Sequence, residues 1–156
     1  MRNTSFWAPL VAIVLLTSSA LAASALQKKY RGQIVVSDQA ISMDGDEAAI
    51  ADALKKGAKT TIERSGSDPW TVHFVGFLSR KPGTDKLQLM IYDASSGKRV
   101  YLTSKEISVE KDATILASSV ELSEDDGVKP GMKAELVLAS FAGKQADLAK
   151  VKLTFK

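Results

Sequence analysis

The sequence contains no cysteine, a single histidine and 6% aromatic residues in a chain of 156. Without cysteine there is no disulfide framework, no thiolate metal site, no thiol nucleophile and no point for lipoprotein attachment. Zinc draws three or four ligands from Cys, His and carboxylates, so one imidazole, His73, leaves that chemistry without a ligand set. Net charge is only +3, from 21 basic and 18 acidic side chains of interspersed sign. With so few aromatics, that balance offers neither the basic stripe nor the stacking platform of a nucleic-acid binder. Phosphate loops of the G-x-G-x-x-G or Walker type are missing, as is the βαβ alternation that would carry them.

Long apolar runs are also missing, save one. Arg2, then Leu10–Leu16 (LVAIVLL), then Ala20-Leu21-Ala22 make the charged, apolar and small-x-small parts of a secretory leader. Residues 1–22 are therefore expected to be a signal peptide cut after Ala22, with Ala23-Ser24-Ala25 as a second cutting point. An uncleaved anchor is the alternative. No charge stands between Arg2 and Lys28, and Lys28, Lys29 and Arg31 crowd the position beyond, as on a cytoplasmic side. The stretch TSSALAAS is small and partly polar, however, which leaves the apolar part short for a span. The expected location is secreted or periplasmic. Residues 23–31 read as a short N-terminal linker and 32–156 as a single domain, with 45% apolar content sufficient for one core.

The dominant pattern in that domain has period two. Trp70, Val72, Phe74 and Leu78 share a face, and Val75 with Phe77 make the opposite face apolar too, as in a central strand covered on both sides. Leu87, Leu89 and Ile91 alternate with Gln88, Met90 and Tyr92; Ala134, Leu136 and Leu138 with Lys133, Glu135 and Val137; Ala149, Val151, Leu153 and Phe155 with Lys150, Lys152 and Thr154. Further strands are expected over Gly32–Ser37, Lys59–Arg64, Arg99–Val109 and Thr114–Leu122. Within Arg99–Val109 the phase changes between Leu102 and Ile107, which implies a bulge or bend near Lys105. Pro82-Gly83 and Pro130-Gly131 suit type II turns, and Ser96-Gly97 and Ala142-Gly143 suit hairpin loops. One segment has helical spacing instead. Ile50, Ala53 and Leu54 share a face, Asp44 and Glu47 have capping-box spacing, and Gly57 follows Lys55-Lys56 as a left-handed stop, so a helix is expected over about 46–56.

About seven or eight short strands with one inserted helix read as an all-β fold, an antiparallel β-sandwich. Val128-Lys129-Pro130-Gly131 leading into Met132–Ser140 resembles the apolar-x-Pro-Gly turn before the penultimate strand of fibronectin type III and related immunoglobulin-like domains. The resemblance covers roughly the last 30 residues and implies an immunoglobulin-like sandwich. Ala134 stands where that family usually has its corner tyrosine, and an immunoglobulin-like Cys pair is absent.

No catalytic, cofactor-binding or metal-binding residue is assigned. His73 lies mid-strand between Val72 and Phe74, with no G-x-S-x-G elbow to supply a nucleophile beside it. The acidic clusters Asp44-Gly45-Asp46-Glu47 and Glu124-Asp125-Asp126 offer oxygen ligands for calcium but do not match the EF-hand loop, and they read as a helix cap and a solvated turn. Trp70 reads as core rather than sugar platform, leaving Tyr92 and Tyr101 as the placeable aromatics. Lys133, Lys150, Lys152 and Lys156 line polar strand faces; they read as edge protection balanced by Glu135 and Asp147, or as a patch for anionic envelope polymers. Val75, Phe77, Met90 and Val137 are candidates for an exposed apolar patch. The expected function is that of an exported, non-catalytic interaction module with no cofactor. Its partner would be a protein or an envelope component, not nucleic acid, with no membrane span once the leader is cut. The alternative is a small eight-stranded outer-membrane β-barrel.

Overall fold

The computed structural model describes residues 19–156, with side chains from Ala25 onward. The charged and apolar parts of the expected leader lie outside the described residues. The order of elements is α1 (Ser19–Tyr30), β1 (Gln33–Ser37), α2 (Glu47–Gly57), β2 (Thr61–Ile62), β3 (Trp70–Phe77), β4 (Lys86–Asp93), β5 (Val100–Ser108), β6 (Ile115–Leu122), β7 (Lys133–Ser140) and β8 (Ala146–Phe155). Each strand lies on a stretch where period-two alternation or β-rich composition called for one. Residues 23–31 are not irregular: they hold the C-terminal part of α1 and the turn after it.

The expected two-sheet sandwich is not what the hydrogen bonds draw. All eight strands belong to one mixed sheet of order β5-β4-β7-β8-β1-β3-β6, with β2 added to β8, and the sheet is nearly closed and barrel-like. The join is β1, which pairs antiparallel with β3 over five residues and parallel with β8 at Gln33↔Lys150. Lys150 N–H donates to the Gly32 carbonyl at 3.1 Å there. Farther along the same edge of β8, β2 takes over with Thr61↔Thr154 and Ile62↔Phe155. The edges left over, β5 and β6, share no ladder among the described residues.

Alternation sends one face of every long strand into a shared interior. Trp70, Val72 and Phe74 of β3 meet Leu87, Leu89 and Ile91 of β4, Leu136 and Leu138 of β7, and Leu153 and Phe155 of β8, all almost completely buried. Each such side chain contributes about 1.5–3 kcal/mol relative to exposure. Gly76 continues the inward row of β3 but has no side chain. Leu138 fills the gap, with its Cδ1 only 2.5 Å from where a Cβ at position 76 would stand.

The outer face of β1 and β3 is apolar for a separate reason. Val35, Val75 and Phe77 lie under Leu26 of α1 and Ile50 and Leu54 of α2, forming a second, smaller core. Tyr30 stacks on Phe77 with centroids 5.0 Å apart, Gln27 Nε2 donates to the Leu78 carbonyl at 2.5 Å, and Arg31 Nε donates to the Ser79 carbonyl at 3.0 Å. The helices thus do for β3 what a second layer does for a central strand. The caps of α2 differ in detail from expectation. Asp46, not Asp44, is the N-cap and accepts from Ala49 N–H at 2.8 Å; the helix ends at Ala58 without a left-handed glycine. The turn at Lys129–Met132 does form as expected: Gly131 has φ 82°, and Met132 N–H donates to the Lys129 carbonyl at 3.1 Å.

The β5 phase change is a bulge, placed at Leu102 rather than near Lys105. Ile91 pairs with Thr103 and Tyr92 with Tyr101, which leaves Leu102 extra. Lys105 is opposite Leu89 and therefore on the inward phase of an edge strand. Its ammonium meets Asp126, in the 3-10 turn after β6, at 2.7 Å. Asp126 also accepts from Ser123 N–H at 3.0 Å. Burial raises the Asp126 carboxyl pKa, but Lys105 and Ser123 outweigh it and hold the group below its ordinary value. An inward charge at this seam discourages another strand from docking on β5.

Candidate functional site

The side chains that β7 and β8 turn outward are Lys133, Glu135 and Val137, and Lys150, Lys152 and Thr154, because their neighbours Ala134, Leu136, Leu138 and Leu153 are committed to the interior. Register then builds rows across the outer face. Tyr101 of β5, Tyr92 of β4, Glu135 of β7 and Lys152 of β8 are directly opposite in turn. One step along, Met90, Val137 and Lys150 form a second row, and at the other side Lys133, Thr154 and Thr61 form a third. Between β2 and β7 the surface dips into a groove of about 350 Å³ lined by Thr60, Thr61, Thr154, Lys133 and Lys152.

Arg99, in the hairpin loop before β5, organises this face. Its guanidinium lies 4.6 Å from the Tyr92 ring centroid, 3.8 Å from Glu135 and 3.6 Å from Asp147. Tyr92 in turn meets Tyr101 edge-on, with centroids 5.9 Å apart. Both acids that could have balanced the lysines thus face Arg99, whose one charge offsets one of them, so Lys133, Lys150, Lys152 and Arg99 against Glu135 and Asp147 leave this face net positive. Lys133, Lys150 and Lys152 form no ion pair among the described residues, and all three are exposed. No family model, curated protein or solved structure matches this chain.

The other sequence candidates are dispersed. His73 is half-buried on the outer face of β3, opposite Ser37 on β1 and Ser119 on β6. Ser37 donates its hydroxyl to the Gln39 carbonyl instead, and no hydrogen bond joins His73, Ser119 and Glu121 among the described residues. The depression beside them, about 360 Å³, is walled by Ala40, Ile41 and Ala117, with no acid to orient the imidazole. Half of the six acids in the two acidic loops have structural partners. Asp46 caps α2, Glu124 meets Arg64 at 2.5 Å and Asp126 meets Lys105. No group of three His, Cys, Asp or Glu converges as a metal site among the described residues.

Trp70 is core, as its alternation requires: it is fully buried, and its Nε1–H donates to the Lys156 carbonyl at 2.7 Å. Arg64, which no motif singles out, stacks on that indole at 3.8 Å with only 11% of its side chain exposed. Of the proposed apolar patch, Val75, Phe77 and Val137 are buried and Met90 is half-buried. Among the described residues the large apolar side chains that reach solvent are Val100, Tyr101 and Phe141, at 55%, 52% and 49% exposure. No helix among the described residues is long and apolar enough to cross a membrane.

Proposed function

We propose that the protein is an exported, non-catalytic β-sandwich domain that makes protein or envelope contacts through the outer face of β5, β4, β7 and β8. The observation that carries this reading is a set of three lysines without an ion pair among the described residues, beside an arginine that both neighbouring acids face. The strand order supports the sandwich. Divided at the single β1–β8 bridge, the order reads as β1-β3-β6 and β5-β4-β7-β8, with β2 on β8. In chain order that is the A-B-E and C′-C-F-G arrangement of fibronectin type III and related immunoglobulin-like domains. The signal-like residues 1–22 support export to a secreted or periplasmic location.

The near closure of the sheet favours the second reading, a small outer-membrane β-barrel. Its distribution of side chains weighs against that: the interior is apolar and the outer faces of β7 and β8 carry lysines, the reverse of a barrel facing lipid. Fractionation of cells producing the native chain, with intact mass of the product, tests the proposal. A detergent-free species starting near Ala23 is expected. A membrane-pelleted species of full mass would replace it with an anchored domain, and a cleaved, heat-shifted membrane species with the barrel. Hydrolysis of common ester, peptide or glycoside substrates that disappears in His73→Ala would refute the non-catalytic part.

A further inference from the structure

We infer that the outer face of β5-β4-β7-β8 is a binding strip for an acidic polysaccharide, with carboxylates of the polymer on Lys133, Lys150 and Lys152 and a sugar ring on Tyr101. This rests on the reading of that face as the contact surface and names the ligand class it takes. Three observations lead there. The first is charge. Lys133 and Lys152 flank a groove whose remaining polar lining is threonine hydroxyl, with no acid lining it. Lysine offers point charges suited to spaced carboxylates, and threonine offers short donors to them and to sugar hydroxyls.

The second is the aromatic edge. Tyr101 is the most exposed aromatic side chain on the described surface and stands in the same cross-strand row as Lys152. Tyr92 holds it edge-on, and Arg99 holds Tyr92, so the ring is a braced platform instead of a loose side chain. From β5 to β8 the row crosses three strand spacings, roughly 14 Å, which suits an extended chain more than a single small anion. The third is how little apolar surface the cross-strand rows themselves offer. A membrane surface would be met by basic residues together with inserted aliphatic side chains; in these rows Val137 is buried and Met90 is half-covered, and the exposed Val100 and Phe141 stand outside them, before Tyr101 and after β7. An acidic glycan needs charge, hydroxyls and one exposed ring, which is what the face presents.

The test is affinity electrophoresis of the protein as cells release it, through gels containing polygalacturonate, neutral dextran or nothing, at low and high salt. Anionic phospholipid vesicles are assayed alongside by sedimentation. Retardation by polygalacturonate and not by dextran is expected, weakening as salt screens the contacts. Lys133→Ala with Lys152→Ala should lower the apparent affinity about tenfold, whereas Lys55→Ala with Lys56→Ala on α2, an equal loss of charge, should leave it within about twofold. Tyr101→Ala should cost about fivefold and Tyr101→Phe little, because the ring face and not the hydroxyl carries the contact. All of these positions are exposed, and unchanged thermal melts show that each variant is folded.

Absence of retardation would overturn the inference. So would equal losses in the two lysine pairs, full affinity in Tyr101→Ala, or vesicle binding as tight as polysaccharide binding. A released, inactive protein that ignores polygalacturonate removes only this inference. An uncleaved membrane product or a catalytic turnover removes the parent reading as well.

Discussion

Adding one methyl group at Gly76 should destabilise the protein, although the usual arithmetic of a strand glycine says the opposite. Gly76 sits mid-strand without a positive φ, so alanine meets no backbone strain there. Loss of glycine's freedom in the unfolded chain should stabilise by about 0.4–1 kcal/mol. The new Cβ, however, would stand 2.5 Å from Leu138 Cδ1, whereas apolar carbons pack best at about 3.5–4.0 Å. Leu138 would have to withdraw by more than about 1 Å, and it is fully buried in a filled interior. Overpacking of that kind costs about 1–3 kcal/mol. The net expectation for Gly76→Ala is a loss of about 1–2 kcal/mol, seen as a melting midpoint lower by about 4–8 °C.

Thermal and urea unfolding followed by circular dichroism and Trp70 fluorescence would measure it. The mechanism is checked by Leu138→Val, which removes the clashing Cδ atoms and alone costs about 1 kcal/mol. In the double variant the two losses should fall short of their sum by about 1 kcal/mol. A Gly76→Ala protein as stable as the parent, or strictly additive losses in the double variant, would refute the claim that Leu138 occupies the space glycine leaves.

Other expectations concern the edges of the fold. Asp126 is held below its ordinary pKa in the folded state, so it adds stability at neutral pH that is lost as pH falls through that depressed value. Asp126→Asn should cost about 1–2 kcal/mol at pH 7, and in urea titrations the gap to wild type should close in acid; a pH-independent gap would sink this account of the seam. Arg64→Lys should lose about 1–2 kcal/mol and shift Trp70 emission, since an ammonium cannot both stack on the indole and reach Glu124 as the planar fork does; an unchanged spectrum and midpoint would count against the stacking. Leu26→Ala should cost about 2–3 kcal/mol in thermal unfolding if α1 belongs to the folded domain, and an unchanged midpoint would show that it does not.

Much of this architecture was readable in residue order. Local alternation located β3, β4, β7 and β8, and the two-sided apolar pattern of Val75 and Phe77 foretold cover on both faces of β3. What alternation cannot show is which edges meet. Closure depends on one parallel contact at Gln33↔Lys150, between residues far apart in the chain, and no pairwise pattern marks it. The phase change of β5 is legible in residue order but the bulge's place at Leu102 is not, because Lys105, polar on an inward phase, mimics the break. At the candidate site the lysines and Tyr92 and Tyr101 were identifiable, but their electrostatic standing was not. In residue order Glu135 and Asp147 stand as the lysines' counter-charges, whereas in the fold both face Arg99 from a hairpin loop. Arg64 carried no signal at all, for its partners Trp70 and Glu124 are brought to it only by the finished fold.

The position of β8 has a kinetic consequence. The last strand in the order pairs with β7, β1 and β2, and its Phe155 packs against Trp70 with centroids 5.6 Å apart. Until residues 146–155 are present, β1 and β2 have no common partner and the interior stays open along one side. The early segments β1 and β2 must therefore wait for a strand more than 80 residues further along, and such long-range pairing slows folding. A polypeptide wired in this way remains threadable until Ala146–Phe155 have been made, and locks only when that strand docks.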